Sequence, residues 1–190
     1  MRNLVRRVSS RWVHEGNIVR LRVDTVILPR GSEATYEYVE IKTGSSVLAM
    51  EDNGDVWLVR EWKYAVDRPS LEVVSGGIEP GEEPLQAAHR EVREELGLTA
   101  KEMIPLGHVD PFTTMLRCPN WLFLARGLDR VEREPDEAEV AMELQRVPFS
   151  EAYALALNGS ITHGSSCVAI FRAAEWLRTQ QSSPATLPPA

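Results

Sequence analysis

Cysteine is scarce in this chain: there are two in 190 residues, Cys118 and Cys167, far apart and without metal-ligand spacing. That excludes a disulfide framework and a zinc-ribbon type of site, and it points to reduced thiols in a cytoplasmic protein. No apolar run is long enough to cross a bilayer. The basic start, MRNLVRRVSSRW, lacks the apolar stretch and small-residue cleavage site of a secretory signal. Excess basic charge is missing too. A formal charge of −7 argues against nonspecific binding to nucleic acid and leaves open a small anionic substrate held through metal ions. Neither an internal repeat nor a low-complexity core segment occurs.

What remains is an ordinary globular composition, 43% apolar and 26% charged, with length for one domain and a small appendage. Residues 11–50 are rich in β-branched residues in partly alternating order, which predicts strands. EDNGD between two apolar runs, at 51–55, predicts a hairpin. Residues 66–82 hold Pro69, Gly76, Gly77, Pro80 and Gly81 and read as loop around a short strand at Leu71–Val74. A helix is predicted over 84–96, with Pro84 in its first turn, an apolar stripe of Leu85, Ala88, Val92 and Leu96, and Gly97 as its stop. Further strands are expected near Ile104–Val109, Trp121–Ala125 and Met142–Val147. A short helix should begin around Ser150 and a longer one should span 165–179. These readings divide the chain into an N-terminal β subdomain (1–45), a main domain (46–179) and a disordered tail (180–190).

The helix at 84–96 carries Glu91, Glu94 and Glu95 within about a 100° arc, beside rather than within the apolar stripe. Like charges so spaced repel by a few tenths of a kcal/mol per pair. A solvated surface helix is one explanation. The other is a cation, because the preceding glycine-rich loop adds Glu79, Glu82 and Glu83, and its backbone can approach an ion or phosphate closely. Hard divalent cations choose such carboxylate and carbonyl oxygens and bridge to substrate phosphates.

The stretch GGIEPGEEPLQAAHREVREELGL resembles a complete Nudix box: Gly76, five residues, Glu82, seven residues, Arg90-Glu91, apolar Val92, one residue, Glu94-Glu95, one residue, Gly97 and apolar Leu98. The resemblance implies an α/β (α+β) Nudix fold, a mixed β-sheet sandwiched between α-helices with an N-terminal antiparallel β subdomain. It implies hydrolysis of a nucleoside diphosphate linked to another moiety, with Mg²⁺ as cofactor and Mn²⁺ as a substitute. Carried onto this chain, Glu91 and Glu95 are principal metal ligands. Glu82 and Glu94 complete the carboxylate set, and the Ser75 carbonyl is a further oxygen. Arg90 is expected to orient the glutamates by charge-assisted hydrogen bonds.

Beyond the box, VWLVREWKYAVDRPSLEVVSGGIEPGE is similar to the segment that enters it in ADP-ribose and nucleotide-sugar pyrophosphatases. There the resemblance implies substrate contacts at Arg60, Lys63 and Gly77, a homodimer formed through the N-terminal region, and a general base at Glu137 or Glu139 in the acidic loop. Glu94 is the next candidate acceptor of the proton. Trp12, Tyr36 and Tyr38 are either packing and interface residues or base-stacking ones. Lys63 stands where relatives commonly carry Arg, which loses bidentate geometry. Arg117-Cys118-Pro119 lacks the acid that often holds the terminal ribose, so a nucleotide sugar other than ADP-ribose fits as well. His89 and His108 read as surface and structural residues, and His163, ahead of the last helix, as structural or close to the site. Two other readings compete: hydrolysis of nucleoside triphosphates or dinucleoside polyphosphates, and a noncatalytic nucleotide-sugar sensor.

Overall fold

The structure is a computed structural model that describes residues 4–134 and 141–182, with the side chains of 181 and 182 excepted. Its contacts divide it into two units. One runs up to Thr43 and includes Asp110–Asn120; the other holds Gly44–Val109 and the chain from Trp121 onward.

The first unit is a four-stranded sheet in the order β1-β2-β3-β9, from β1 (Arg6–Glu15), β2 (Val19–Ile27), β3 (Glu33–Ile41) and the two-residue β9 (Leu116–Arg117). Neighbours β1, β2 and β3 are antiparallel, whereas β9 joins β3 in parallel, Val39 opposite Leu116. The segment 110–120 thus adds a strand to β3, almost eighty positions earlier in the chain, a pairing that local sequence pattern does not reveal.

The second unit is built on a mixed sheet ordered β11-β5-β4-β10-β8, with β6 added to β5 and β7 to β4. These are β4 (Gly44–Met50), β5 (Asp55–Lys63), β6 (Arg68–Glu72), β7 (Val74–Gly77), β8 (Leu98–Val109), β10 (Asn120–Arg130) and β11 (Glu143–Pro148). Helices α1 (Pro84–Leu96), α2 (Phe149–Leu157) and α3 (Gly164–Ser182) cover it. Side-chain alternation explains the layers. Val47 and Ala49 of β4 pack with Val59, Phe123, Ala125 and the α1 residues Ala88, Val92 and Leu96. Their neighbours Leu48 and Met50 pack the other way, with Leu58, Leu124, Ala152 of α2 and Ile170 and Ala173 of α3. Every residue of β4 is buried, as a strand covered on both faces must be.

The expected hairpin closes β4 onto β5, with Gly54 at φ 86 and its N–H donating to the Glu51 carbonyl at 3.0 Å. Helix α1 has the expected limits, and Gly97 ends it at φ 64. Three expectations need correction. Residues 66–82 are mostly strand rather than loop, because the chain leaves β5 after Glu72 and joins β4 from Val74. Leu85 is 46% exposed and lies outside the α1 stripe, which is made by Ala87, Ala88, Val92 and Leu96. Helix α3 continues to Ser182, into the segment expected to be a disordered tail. Both cysteines are free and partly buried.

Candidate active site

The site begins where β7 runs beside α1. Pro84 starts the helix, and just before it the Glu83 N–H donates to Gln86 Oε1 at 2.9 Å, so the first turn is capped at both levels of the chain. One and two turns later, Arg90, Glu91, Glu94 and Glu95 project toward the strand end and the turn holding Glu82.

Arg90 is the hub. Its Nε and Nη2 donate to the two oxygens of Glu82 at 2.9 and 3.0 Å, a bidentate clamp. Nη1 donates to Glu91 Oε1 at 2.7 Å and to Glu94 Oε2 at 2.9 Å, and Nη2 also donates to the Gly77 carbonyl at 2.9 Å. One guanidinium therefore joins three box carboxylates to the β7 backbone. The hydrogen bond with Glu82 raises its pKa most, burial opposes, and Glu94 and Glu91 raise it further, so it stays charged at every working pH.

Glu91 and Glu95 are 4% and 2% exposed. This corrects the expectation of an exposed carboxylate face: both turn inward toward the sheet, and Glu94, half-buried, is the one nearer solvent. Gly76 makes room for Glu91. A Cβ at that position would lie 2.0 Å from Glu91 Oε1 and 2.1 Å from Glu91 Cδ. The glycine is needed here for space, since its φ is not positive. Gly76 sits opposite Ser45 and Ser75 opposite Ser46 on β4.

Do these residues suit a divalent cation? Among the described residues no three carboxylate, His or Cys side chains already form a ligand group, and three of the four box carboxylates are turned onto Arg90. Even so, the donors are all hard oxygens, and two of the carboxylates, Glu91 and Glu95, are buried, as ligands of a small hard cation can be. The residues fit a hard divalent cation.

The other expected site residues are distributed unevenly. Arg60 and Lys63 lie on opposite faces of β5: Val59, four positions from Lys63 and so on its face, faces α1, whereas Arg60 stands opposite Leu71, which packs on the α2–α3 side. Arg60 is exposed and borders a cavity of about 410 Å³ with Trp62, Pro69 and Glu143. Lys63 is held by Glu61 and lies 4.0 Å from Glu72 Oε2. Burial lowers its pKa, and the combined pull of Glu61, Glu72 and Glu95 outweighs this and raises it. Glu137 and Glu139 lie outside the described residues. The chain leading to them is fixed to the C-terminus of α1: Val131 N–H donates to the Gly97 carbonyl at 2.9 Å, Arg133 Nε to the Glu95 carbonyl at 2.6 Å, and Arg93 pairs with Glu134 at 2.7 Å. Trp12 is covered by Arg20, 3.9 Å above its ring, and Tyr36 is 48% exposed. His89 is exposed, and His108 stacks on Trp121. Glu72 and Ser166 are buried partners of His163; Ser166 is three residues away, at helical spacing, whereas Glu72 escaped sequence reasoning because only the fold brings it there.

Residues 41–165 match the family model described as NUDIX domain, and residues 5–39 match the one described as nucleoside diphosphate sugar hydrolase N-terminal domain. The chain belongs to the Nudix family, and it is a hydrolase of the pyrophosphatase type. It is 34% identical over 158 residues to an ADP-ribose pyrophosphatase of Mycobacterium tuberculosis, covering 82% of this chain and 76% of that one. An ADP-ribose pyrophosphatase of Bacillus subtilis is 29% identical over 171 residues, 86% of this chain and 89% of its own. The crystal structure of an ADP compounds hydrolase superposes with a TM-score of 0.82 at 21% identity, covering 94% and 97% of the two chains, a likeness of fold.

Proposed function

We propose that the chain hydrolyses the pyrophosphate bond of nucleoside diphosphate sugars, ADP-ribose first among them, to a nucleoside monophosphate and a sugar phosphate. The observation that carries this is the complete carboxylate set: Glu82, Glu91 and Glu94 ordered by one arginine, Glu91 seated at Gly76, and Glu95 buried one turn further along the same helix. Support for a nucleotide sugar over a triphosphate comes from the N-terminal match and from the two ADP-ribose pyrophosphatases among the relatives.

Glu91 and Glu95, with Glu82, Glu94 and the Ser75 carbonyl, would hold Mg²⁺, which supplies charge neutralisation at the diphosphate and a more acidic water. Arg90 keeps the carboxylates apart and oriented until they are used. Lys63 and the Gly77 backbone are assigned to the substrate, Arg60 on the other face of β5 is not, and Glu137, or else Glu139, accepts the proton of the attacking water. Loss of turnover in Glu137→Gln with KM unchanged supports that base, and full activity in both Gln variants moves the role to Glu94. The N-terminal unit, with Leu4, Val8, Val13 and Ile18 exposed, pairs with a second copy to form a homodimer; sedimentation as a monomer at micromolar concentration would contradict this. The substrate is tested with a panel of nucleotide sugars, triphosphates and dinucleoside polyphosphates, assayed with Mg²⁺ and with Mn²⁺. Preferential cleavage of triphosphates would overturn the reading.

A further inference from the structure

The second unit holds another cluster of ionisable groups, on the far side of the strand switch from the box. Glu72 is 6% exposed, a charge that must be compensated where it lies. Its Oε2 is 3.2 Å from His163 Nδ1 and 4.0 Å from Lys63 Nζ. The same Nδ1 lies 2.8 Å from Ser166 Oγ, and Ser166 Oγ accepts the Val73 N–H at 3.0 Å. A single proton on Nδ1 is shared between the two oxygens, whereas a bare Nδ1 would set its lone pair against the carboxylate.

Val73 is the residue between two ladders. Up to Glu72 the chain pairs with β5, and from Val74 it pairs with β4. Its amide is therefore served by neither strand but by a side chain of α3. Two residues further on come Ser75, Gly76 and Gly77, where the chain meets Glu91 and Arg90. An error of an ångström at the switch passes directly to those residues.

Resting on the reading of the box as the active site, we propose that His163 is a positioning residue for the reaction: through Glu72 and Ser166 it fixes the backbone at Val73 and so the placement of Ser75–Gly77 against Glu91. The charged groups around the imidazole are Glu72 and Arg68 of β6 and Lys63 and Glu61 of β5. Burial lowers the His163 pKa most, Glu72 pulls it up and Lys63 lowers it, with a net shift downward. The ring thus favours its neutral form, and its Nδ1–H faces the Glu72 carboxylate.

The test compares His163→Ala with His163→Asn, whose side-chain amide keeps a donor near the Nδ1 position. Hydrogen–deuterium exchange of the Val73–Gly77 amides and Mn²⁺ binding by electron paramagnetic resonance are read without substrate, and kcat and KM with ADP-ribose. His163→Ala should speed exchange at 73–77 roughly tenfold and weaken Mn²⁺ binding about 10-fold or more. It should lower kcat by a similar factor with KM within about threefold, and His163→Asn should recover most of each. Ser166→Ala, which removes one oxygen, should speed exchange at Val73 likewise and stands in if His163→Ala does not fold. Unchanged exchange in the Ala variants, or an Asn variant as defective as Ala, overturns the proposal. If ADP-ribose is not a substrate, exchange and Mn²⁺ binding still decide it.

Discussion

Replacing Gly76 by alanine separates the site from the fold more cleanly than replacing any of its charges. Its φ is not in the left-handed region, so alanine meets no backbone strain there. The obstacle is Glu91: the new Cβ would lie 2.0 Å from Oε1, 2.1 Å from Cδ and 2.4 Å from Oε2. Unstrained heavy-atom contacts lie at about 3.5 Å, so the carboxylate must move by more than ~1 Å. Being the end of a flexible side chain, it can move while the sheet stays in place. The cost is then the 2.7 Å hydrogen bond with Arg90, about 1.5–3 kcal/mol for a charged partner. That lowers the thermal midpoint by roughly 3–12 °C in a chain of this size. A displacement of that size at a reacting centre costs on the order of 100-fold in rate. Gly76→Ala should therefore remain folded at 25 °C by circular dichroism and lose about 100-fold in kcat at saturating Mg²⁺. Turnover within threefold of the parent protein, or loss of activity only through unfolding, would refute the reasoning.

Other substitutions follow from the same geometry. Glu91→Gln and Glu95→Gln should each lower kcat at least about 100-fold, and because both side chains are buried each should also lose roughly 1–3 kcal/mol in a denaturant titration; near-normal turnover in both would remove them from the metal site. Arg90→Met leaves Glu82, Glu91 and Glu94 without their common partner and should destabilise the metal-free protein by about 2 kcal/mol, discounted for partial exposure. Adding Mg²⁺ should restore part of that loss, and a melting curve indifferent to Mg²⁺ would count against the charge argument. In the N-terminal sheet, hydrogen bonds from Arg22 hold the Asp24 carboxyl below its ordinary 3.8, against burial, with Ser10 and Arg7 adding to the effect. A depressed folded pKa means that Asp24 contributes fully above about pH 4 and ceases to contribute as pH falls through the folded value. Asp24→Asn should be less stable than the parent at pH 6, with the gap closing toward pH 3.

Much of this was legible in sequence because the local signals agree with the fold. Pro84 and Gly97 bound α1 through backbone geometry, and EDNGD can hardly be anything but a turn. The carboxylate set is legible for the same reason, since its spacing repeats with the helix. Burial is not. A helical wheel treats Glu91 and Glu95 as solvent-seeking, although both are buried, and for Glu91 it is the missing Cβ of Gly76 and the guanidinium of Arg90 that accommodate the inward turn. Alternation separates Arg60 from Lys63, but assigning either to a face requires knowing that Leu71 lies opposite Arg60. The partnership of His163 with Glu72 joins positions 91 apart, and no local pattern announces it.

The central claim, that these carboxylates with a divalent cation cleave the pyrophosphate bond of a nucleotide sugar, is tested most directly by ³¹P NMR of ADP-ribose incubated with the protein and Mg²⁺. The account predicts loss of the two diphosphate resonances and appearance of two phosphomonoester resonances, AMP and ribose 5-phosphate, abolished by chelation and by Glu95→Gln. Cleavage that persists in excess chelator, or intact diphosphate resonances for every nucleotide sugar offered, would contradict it.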